Sequence, residues 1–323
     1  MNSRVLFPVT LLAVVWFCSF RSIAQDQARA RPAGGEETRP SDLYALKQKA
    51  SAGDAKAESS LAWSYMNGVG VSQDYQEAAV WCRKAAAQGS ADAEFALGYL
   101  YEQGKGVQRD YRQAVTYYTA AAQQGHSAAA NNLGSMYAHG QGVRKNLVEA
   151  VRWYRAAADR GEVSAQCNLA SLYFRGRGVA RDYSQAAMWF RVAAEQGHPP
   201  AQEDLAWMYY TGTGVTLNYS EAAKWLQKAA EQGYARAQID LAYLYEQGKG
   251  VPLDYVSAYA WYKLAVAGGD ERGRARMKTL SQVMTQEQIS EAAVRIAQYP
   301  GPRSPRRGMS NSNSMTSSFA EWP

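Results

Sequence analysis

The chain has 323 residues, 47% of them apolar, and 35 Lys and Arg against 29 Asp and Glu give a formal charge of +6. That apolar share can build a buried core, which excludes a disordered chain, and the charge is too mild and too evenly spread for a nucleic-acid partner. Three cysteines are too few for a disulfide framework, and length is a poor guide to domain number here because the sequence repeats itself.

In chain order, residues 1–24 read as an export leader. Arg4 precedes a mainly apolar run from Val5 to Phe20, and Ser22-Ile23-Ala24 offers small residues where a signal peptidase cuts. A membrane span needs about 20 apolar residues, and this run is shorter and interrupted by Pro8, Thr10 and Ser19, so an uncleaved anchor is the weaker alternative. Cleavage near Ala24 places the mature chain in the bacterial periplasm or outside the cell. Residues 25–40 mix charge, proline and glycine without an apolar period and read as a flexible linker. Residues 41–53 hold a single helix pattern, SDLYALKQKA, ended by Gly53, which is expected to cap the start of a stack.

A 36-residue unit then recurs six times, over 54–89, 90–125, 126–161, 162–197, 198–233 and 234–269, fixed by glycine pairs from Gly68/Gly70 to Gly248/Gly250. In the second unit Ala93, Leu97, Leu100 and Tyr101 form one helical stripe. This first helix is expected to stop at Gly104, which can adopt a left-handed C-cap, and Gly106 lets the chain turn back. Asp110 with Gln113 predicts a capping box opening a second helix. The same pairing recurs as Asp74/Glu77, Asn146/Glu149, Asp182/Gln185 and Asn218/Glu221, whereas Asp254/Ser257 departs from it. The second helix buries Ala114, Tyr117, Tyr118 and Ala121 and ends at Gly125. Residues 270–299 are expected to form a helical C-terminal cap, its second helix opened by Thr285 and Gln288, and residues 300–323 a disordered tail.

Three positions are constant in all six units: Ala57, Ala93, Ala129, Ala165, Ala201 and Ala237; Leu61, Leu97, Leu133, Leu169, Leu205 and Leu241; Tyr65, Tyr101, Tyr137, Tyr173, Tyr209 and Tyr245. With the constant alanines and near-constant tryptophan of the second helix, the unit resembles the Sel-one-like repeat, a relative of the tetratricopeptide repeat. The resemblance implies an all-α fold, a right-handed α-solenoid of six helix-turn-helix repeats with helical caps. It also implies a role in holding other molecules together rather than in catalysis. One exported subfamily carries a disulfide in every unit; this chain departs from it, and so from functions peculiar to that subfamily, β-lactam binding among them. Cys82 and Cys167 lie five helix steps apart at about 8–10 Å each, beyond the about 7 Å a disulfide spans, and are expected to be free thiols.

No serine is followed three residues later by lysine, and neither a G-x-S-x-G elbow nor an H-E-x-x-H pair occurs. His126, His139 and His198 lack metal spacing and read as solvated polar residues, so neither metal nor cofactor is expected. The G-x-G loops read as structural turns, and the column Trp81, Trp153, Trp189, Trp225 and Trp261 as inter-helix core. On the first helices the constant Ala, Leu and Tyr span one arc, and the opposite arc carries Trp63, Phe95, Tyr99, Phe174, Trp207, Tyr210 and Tyr243. In the third unit that arc is polar, with Asn131 and Ser135. These nine residues are the predicted partner-binding groove on a concave face, competing with a reading in which the aromatics simply pack on each other. The function expected is an exported, non-enzymatic scaffold for a protein or peptide segment, or a glycan, with membrane contact only through an uncleaved leader. A weak cell-wall-directed hydrolase resembling a β-lactamase, and a purely structural spacer of an envelope complex, are the alternatives.

Overall fold

A computed structural model of the chain describes residues 40–297 and 299, and among these it contains fifteen helices and no strand. The leader, the linker up to residue 39 and the tail from 300 lie outside the described residues. The chain divides into two compact units, 1–218 and 219–323. The first holds α1 (Pro40–Ser51), then the pairs α2 (Ala55–Asn67) and α3 (Tyr75–Ala87), α4 (Ala91–Gln103) and α5 (Tyr111–Gln123), α6 (Ser127–His139) and α7 (Leu147–Ala158), α8 (Val163–Arg175) and α9 (Tyr183–Glu195), and finally α10 (Pro199–Thr211). The second holds α11 (Tyr219–Glu231), α12 (Ala235–Gln247), α13 (Tyr255–Ala267), α14 (Arg272–Leu280) and α15 (Gln286–Ile296). Within the first unit each helix packs chiefly on the next in line, the arrangement of a solenoid; in the second, α14 and α15 both pack on α13. No described helix is long and apolar enough to cross a membrane.

The constant residues form the core: the six constant leucines are at most 1% exposed, and the constant alanines of both helices are likewise buried. A small Cβ at those alanine positions lets neighbouring helices approach, and the leucines fill the space between them. Trp81 packs against two core clusters, one around Ala57 and Leu61 and one around Ala79, Cys82 and Leu97, so it joins successive layers. At the other end of the tryptophan column Trp261 is buried, 4.4 Å from the ring of Tyr299.

The loops hold one departure from expectation. Asp74, Asp110, Asn146, Asp182 and Asp254 all cap their helices by accepting backbone N–H groups of the first turn. Among these and Thr285, however, only Thr285 with Gln288 closes a capping box in both directions. The reason is that the amides of Asp74, Asp110, Asn146, Asp182 and Asp254 are already used, donating at 2.9–3.0 Å to the carbonyls of Tyr65, Tyr101, Tyr137, Tyr173 and Tyr245. The constant tyrosine thus contributes its backbone to closing the loop, and the Glu or Gln three residues into the helix has no amide left to accept.

A glutamine pin also recurs between helices. Gln88, Gln124 and Gln196 donate at 2.7–2.8 Å to Glu58, Glu94 and Gln166, each thirty residues earlier on the first helix of the same repeat. Gln166, Gln202 and Gln238 in turn donate at 3.0–3.3 Å to the carbonyls of Ala158, Ala194 and Ala230 in the preceding helix. The buried Gln166, Gln202 and Gln238 are tolerated because they are bonded; the bonds between paired helices hold each repeat together, and those to the preceding carbonyls fix the register of one repeat on its neighbour.

The odd residue Ser257 finds its explanation in the C-terminal cap. Its short side chain stands where the other repeats carry Glu or Gln, and Arg295 of α15 reaches past it, 2.5 Å from Asp254 Oδ2, while also bonding Glu291 at 2.7 Å. Burial raises the Asp254 carboxyl, but its bonds to Arg295 and Ser257 outweigh this and hold it below the usual carboxylate value. A depressed carboxylate contributes stability that is complete above its unfolded value of about 4 and is lost as pH falls through the folded value. Hydrogen exchange should therefore show α15 equally protected at pH 7 and pH 5 and released only below about pH 4. Arg295→Ala should release it already at pH 7; protection unchanged in that variant would contradict this anchoring.

Candidate functional site

The nine residues predicted for the groove occupy the first helices as follows: Trp63 on α2, Phe95 and Tyr99 on α4, Asn131 and Ser135 on α6, Phe174 on α8, Trp207 and Tyr210 on α10, and Tyr243 on α12. All are half-buried; none is fully exposed and none belongs to the sealed core. Tyr243 lies in the second unit, where the guanidinium of Arg276 sits 6.0 Å from its ring centre.

In the first unit these side chains sort into two aromatic groups and a polar one. Lys105 Nζ donates to Tyr99 Oη at 2.9 Å and lies 5.0 and 5.1 Å from the ring centres of Tyr75 and Tyr99. Burial pulls the Lys105 ammonium down, but the two tyrosines outweigh it and its pKa is raised, so the cation is held on the rings. The second aromatic group joins repeats 4 and 5: Phe174 meets Trp207 edge-on at 5.7 Å and Tyr183 at 5.1 Å. Between them Asn168 Nδ2 donates to Asn131 Oδ1 at 3.0 Å, and Asn131 Nδ2 approaches Asn132 Oδ1 at 3.4 Å. Ser135 Oγ lies 3.4 Å from His139 Nδ1.

Phe95 has a different role from its neighbours. Its ring stacks on His126 at 4.5 Å, 21° from parallel, and tilts against Tyr118 at 5.9 Å, so it joins one repeat to the next. The same seam holds Ser59 Oγ against Ser90 Oγ at 2.9 Å and Cys167 Sγ against His198 Nδ1 at 3.6 Å. Each pair is separated by 31 residues, and each matches in kind: hydroxyl with hydroxyl, ring with ring, thiol with imidazole. That spacing is the register in which residues of successive repeats meet at the seam. His126 and His198, expected to be solvated, are instead half-buried N-caps whose Nδ1 accepts the amides of Ala129 and Ala201. Burial lowers the His126 pKa, with Asp92 opposing at 3.6 Å from Nε2, so the neutral, accepting ring is favoured.

Cys167 and His198 are the residue types of a nucleophile and its base, but the geometry argues for packing. The Cys167 side chain is 1% exposed, so no substrate reaches it, and the His198 nitrogen facing the thiol already accepts the Ala201 amide. Cys82 is likewise a free, buried thiol, pushed up to about 12 by burial. No group of His, Cys, Asp and Glu among the described residues is arranged to hold a metal ion.

The family profile of the Sel1 repeat matches residues 55–90, 91–126, 127–162, 163–198, 199–234 and 235–270. The chain is a Sel1 repeat protein. A Sel1 repeat protein from Oxalobacter formigenes is similar at 34% identity, with a TM-score of 0.66 over 75% of this chain and 70% of that one. At 23% identity the chain is also similar to c5321, a protective antigen of uropathogenic Escherichia coli, over 88% of this chain and 94% of that one with a TM-score of 0.39. It is likewise similar to the immunity protein Pa5087 of Pseudomonas aeruginosa, again at 23% identity, over 63% and 74% with a TM-score of 0.37. No curated protein matches the chain. Sel1 repeats are helical scaffolds and a module of protein–protein interaction, and that is the coarse function this Sel1 repeat protein shares.

Proposed function

We propose that the mature protein is an exported, non-enzymatic adaptor that holds an extended protein segment along the first helices of repeats 1 to 5. The observation that carries this reading is the order of chemistry along those helices and the residues beside them: Tyr99 with Tyr75 at the start of α3 and Lys105 in the loop, an asparagine cluster, then Phe174 and Trp207 with Tyr183 at the start of α9. Rigid rings offer contact area at little entropic cost, and side-chain amides can both donate to and accept from the backbone of an extended peptide. The same rings suit the faces of sugars, which makes a glycan the second ligand to test. Export rests on the leader over residues 1–24, and terminal sequencing of the released protein should begin at Gln25.

Peptides selected from a random library on the wild-type protein should lose at least tenfold in affinity for the variant W63A/Y99A/W207A. It should still unfold cooperatively, with a moderately lowered melting temperature, since these rings are half-buried and the constant leucines and alanines of the core are untouched. A variant that binds the selected peptides as well as wild type rejects the groove, and one that unfolds assigns these rings to the core. Binding confined to an array of cell-wall glycans would replace the peptide by a sugar.

A further inference from the structure

The G-x-G loops carry a second pattern, which borders the first-helix face at Lys105 and Tyr183. Arg109, Lys145 and Arg181 are separated by 36 residues each and occupy one register position, immediately before the N-cap of the second helix in repeats 2, 3 and 4. All three are exposed. The fold asks little of this position. A Cβ placed on the C-cap glycines Gly104, Gly140 and Gly176 would lie 2.9–3.2 Å from the Cβ of these residues, so only the base of the side chain packs. Gln73, Leu217 and Leu253 serve equally in repeats 1, 5 and 6, with Leu217 and Leu253 51% and 60% exposed. Packing therefore accounts for a side chain at this point and leaves the three consecutive cations unexplained.

The neighbouring loop residues reinforce them. Lys105, Arg144 and Arg177 add one further base to each of the three loops, whereas the loops 68–74 and 212–218 contain none. Among the described residues no carboxylate lies within ion-pair distance of any of the six cations. Arg109 and Arg181 rest on the rings of Tyr111 and Tyr183 at 5.6 and 5.4 Å, which orients their guanidinium groups without neutralising them. A mild net charge for the whole chain thus conceals a local concentration.

We infer that the loop edge of repeats 2 to 4 is a docking band for an acidic, extended protein segment. A single row of cations, one pair per repeat, matches a linear polyanion better than a flat membrane surface, and arginines on tyrosine rings are set for carboxylates. The inference rests on the adaptor reading and adds a loop-edge surface, adjoining the first at Lys105 and Tyr183, with its own partner chemistry.

The probe is a fluorescent 15-residue peptide of alternating Glu and Ser, long enough at about 3.3 Å per residue to span three loops. Its anisotropy should report binding to the full mature chain at low salt, weakening as salt rises. The variant R109E/K145E/R181E should lose at least tenfold in affinity and most of the salt dependence, with an unchanged melting temperature. The variant R83E/R152E/R160E has the same net charge, changed on exposed residues outside these loops, and should bind as wild type. W63A/W207A should also bind this probe as wild type, so a failure of the first-helix site and a failure of the band are read separately. Equal losses in both charge variants, or no binding by wild type, overturn the proposal. So does band-dependent sedimentation with phosphatidylglycerol vesicles without peptide binding.

Discussion

Gly106→Ala should destabilise the protein by about 3 kcal/mol, whereas the same change at Gly89 costs about 1. Both glycines have left-handed backbone, with φ of 67° and 81°, so both substitutions carry the penalty of an L-residue there. They differ in their surroundings. A Cβ on Gly89 meets nothing within 4 Å, but one on Gly106 would stand 2.1 Å from the carbonyl oxygen of Tyr75, at the start of α3 in the preceding repeat. The neighbour is backbone and cannot rotate away, so the junction of repeats 1 and 2 must open. Gly142, Gly178 and Gly214 meet the carbonyls of Tyr111, Leu147 and Tyr183 in the same way, at 2.2–2.4 Å. Thermal unfolding followed by circular dichroism compares the two variants directly; equal shifts would show that the junction yields and would reject the contact as a constraint.

Gly98→Ala is the second large effect, and it carries an internal control. Gly98 lies inside α4, where alanine would normally stabilise a helix by about 1 kcal/mol. Here a Cβ would stand 2.5 and 2.6 Å from Cδ1 and Cε1 of Tyr118, a fully buried ring whose hydroxyl is tied to Glu102 at 2.7 Å. Overpacking of this kind costs about 1–3 kcal/mol, so the propensity gain is lost and a net destabilisation of up to about 2 kcal/mol is expected. Gly134 faces Tyr154 in the same way, whereas Ala62, Ala170 and Ala206 stand at the equivalent position where the second helix carries Cys82, Phe190 and Leu226, and Ala242 where it carries Tyr262, so the clash belongs to repeats 2 and 3. In the background Tyr118→Leu the same Gly98→Ala should become neutral or stabilising. A double-mutant cycle with no coupling between positions 98 and 118 would refute this packing account.

The period, the helix pairs and the caps were legible because each rests on local chemistry. A glycine 36 residues after another glycine, or Leu97 four residues after Ala93, carries its meaning within a single helix or loop. What crosses from one repeat to the next was not. Placing Phe95 on the arc opposite Leu97 is correct for an isolated α4, but a helical wheel has no knowledge of His126, which takes one face of that ring. Asn168 and Lys105 escaped notice for the same reason: their significance is the distance to Asn131 and to Tyr99. The capping boxes were over-read because the pattern Asp-x-x-Gln shows the donor and acceptor but not the tyrosine carbonyl that reaches the amide first. Ser257 could be seen as a departure, yet only the position of Arg295 explains it.

The pairs 31 residues apart bear on how such a gene can change. Six related tracts, each a whole number of codons, are a substrate for unequal recombination, and loss of one tract would keep the reading frame, the glycine period and every helix. It would not keep the seams. Joining repeat 2 directly to repeat 4 would set Phe95 against Glu162 in place of His126, a ring against a carboxylate. Repeats that are alike in their cores but individual at their borders carry their order with them, and a chain shortened by recombination would be marked by a mismatched seam.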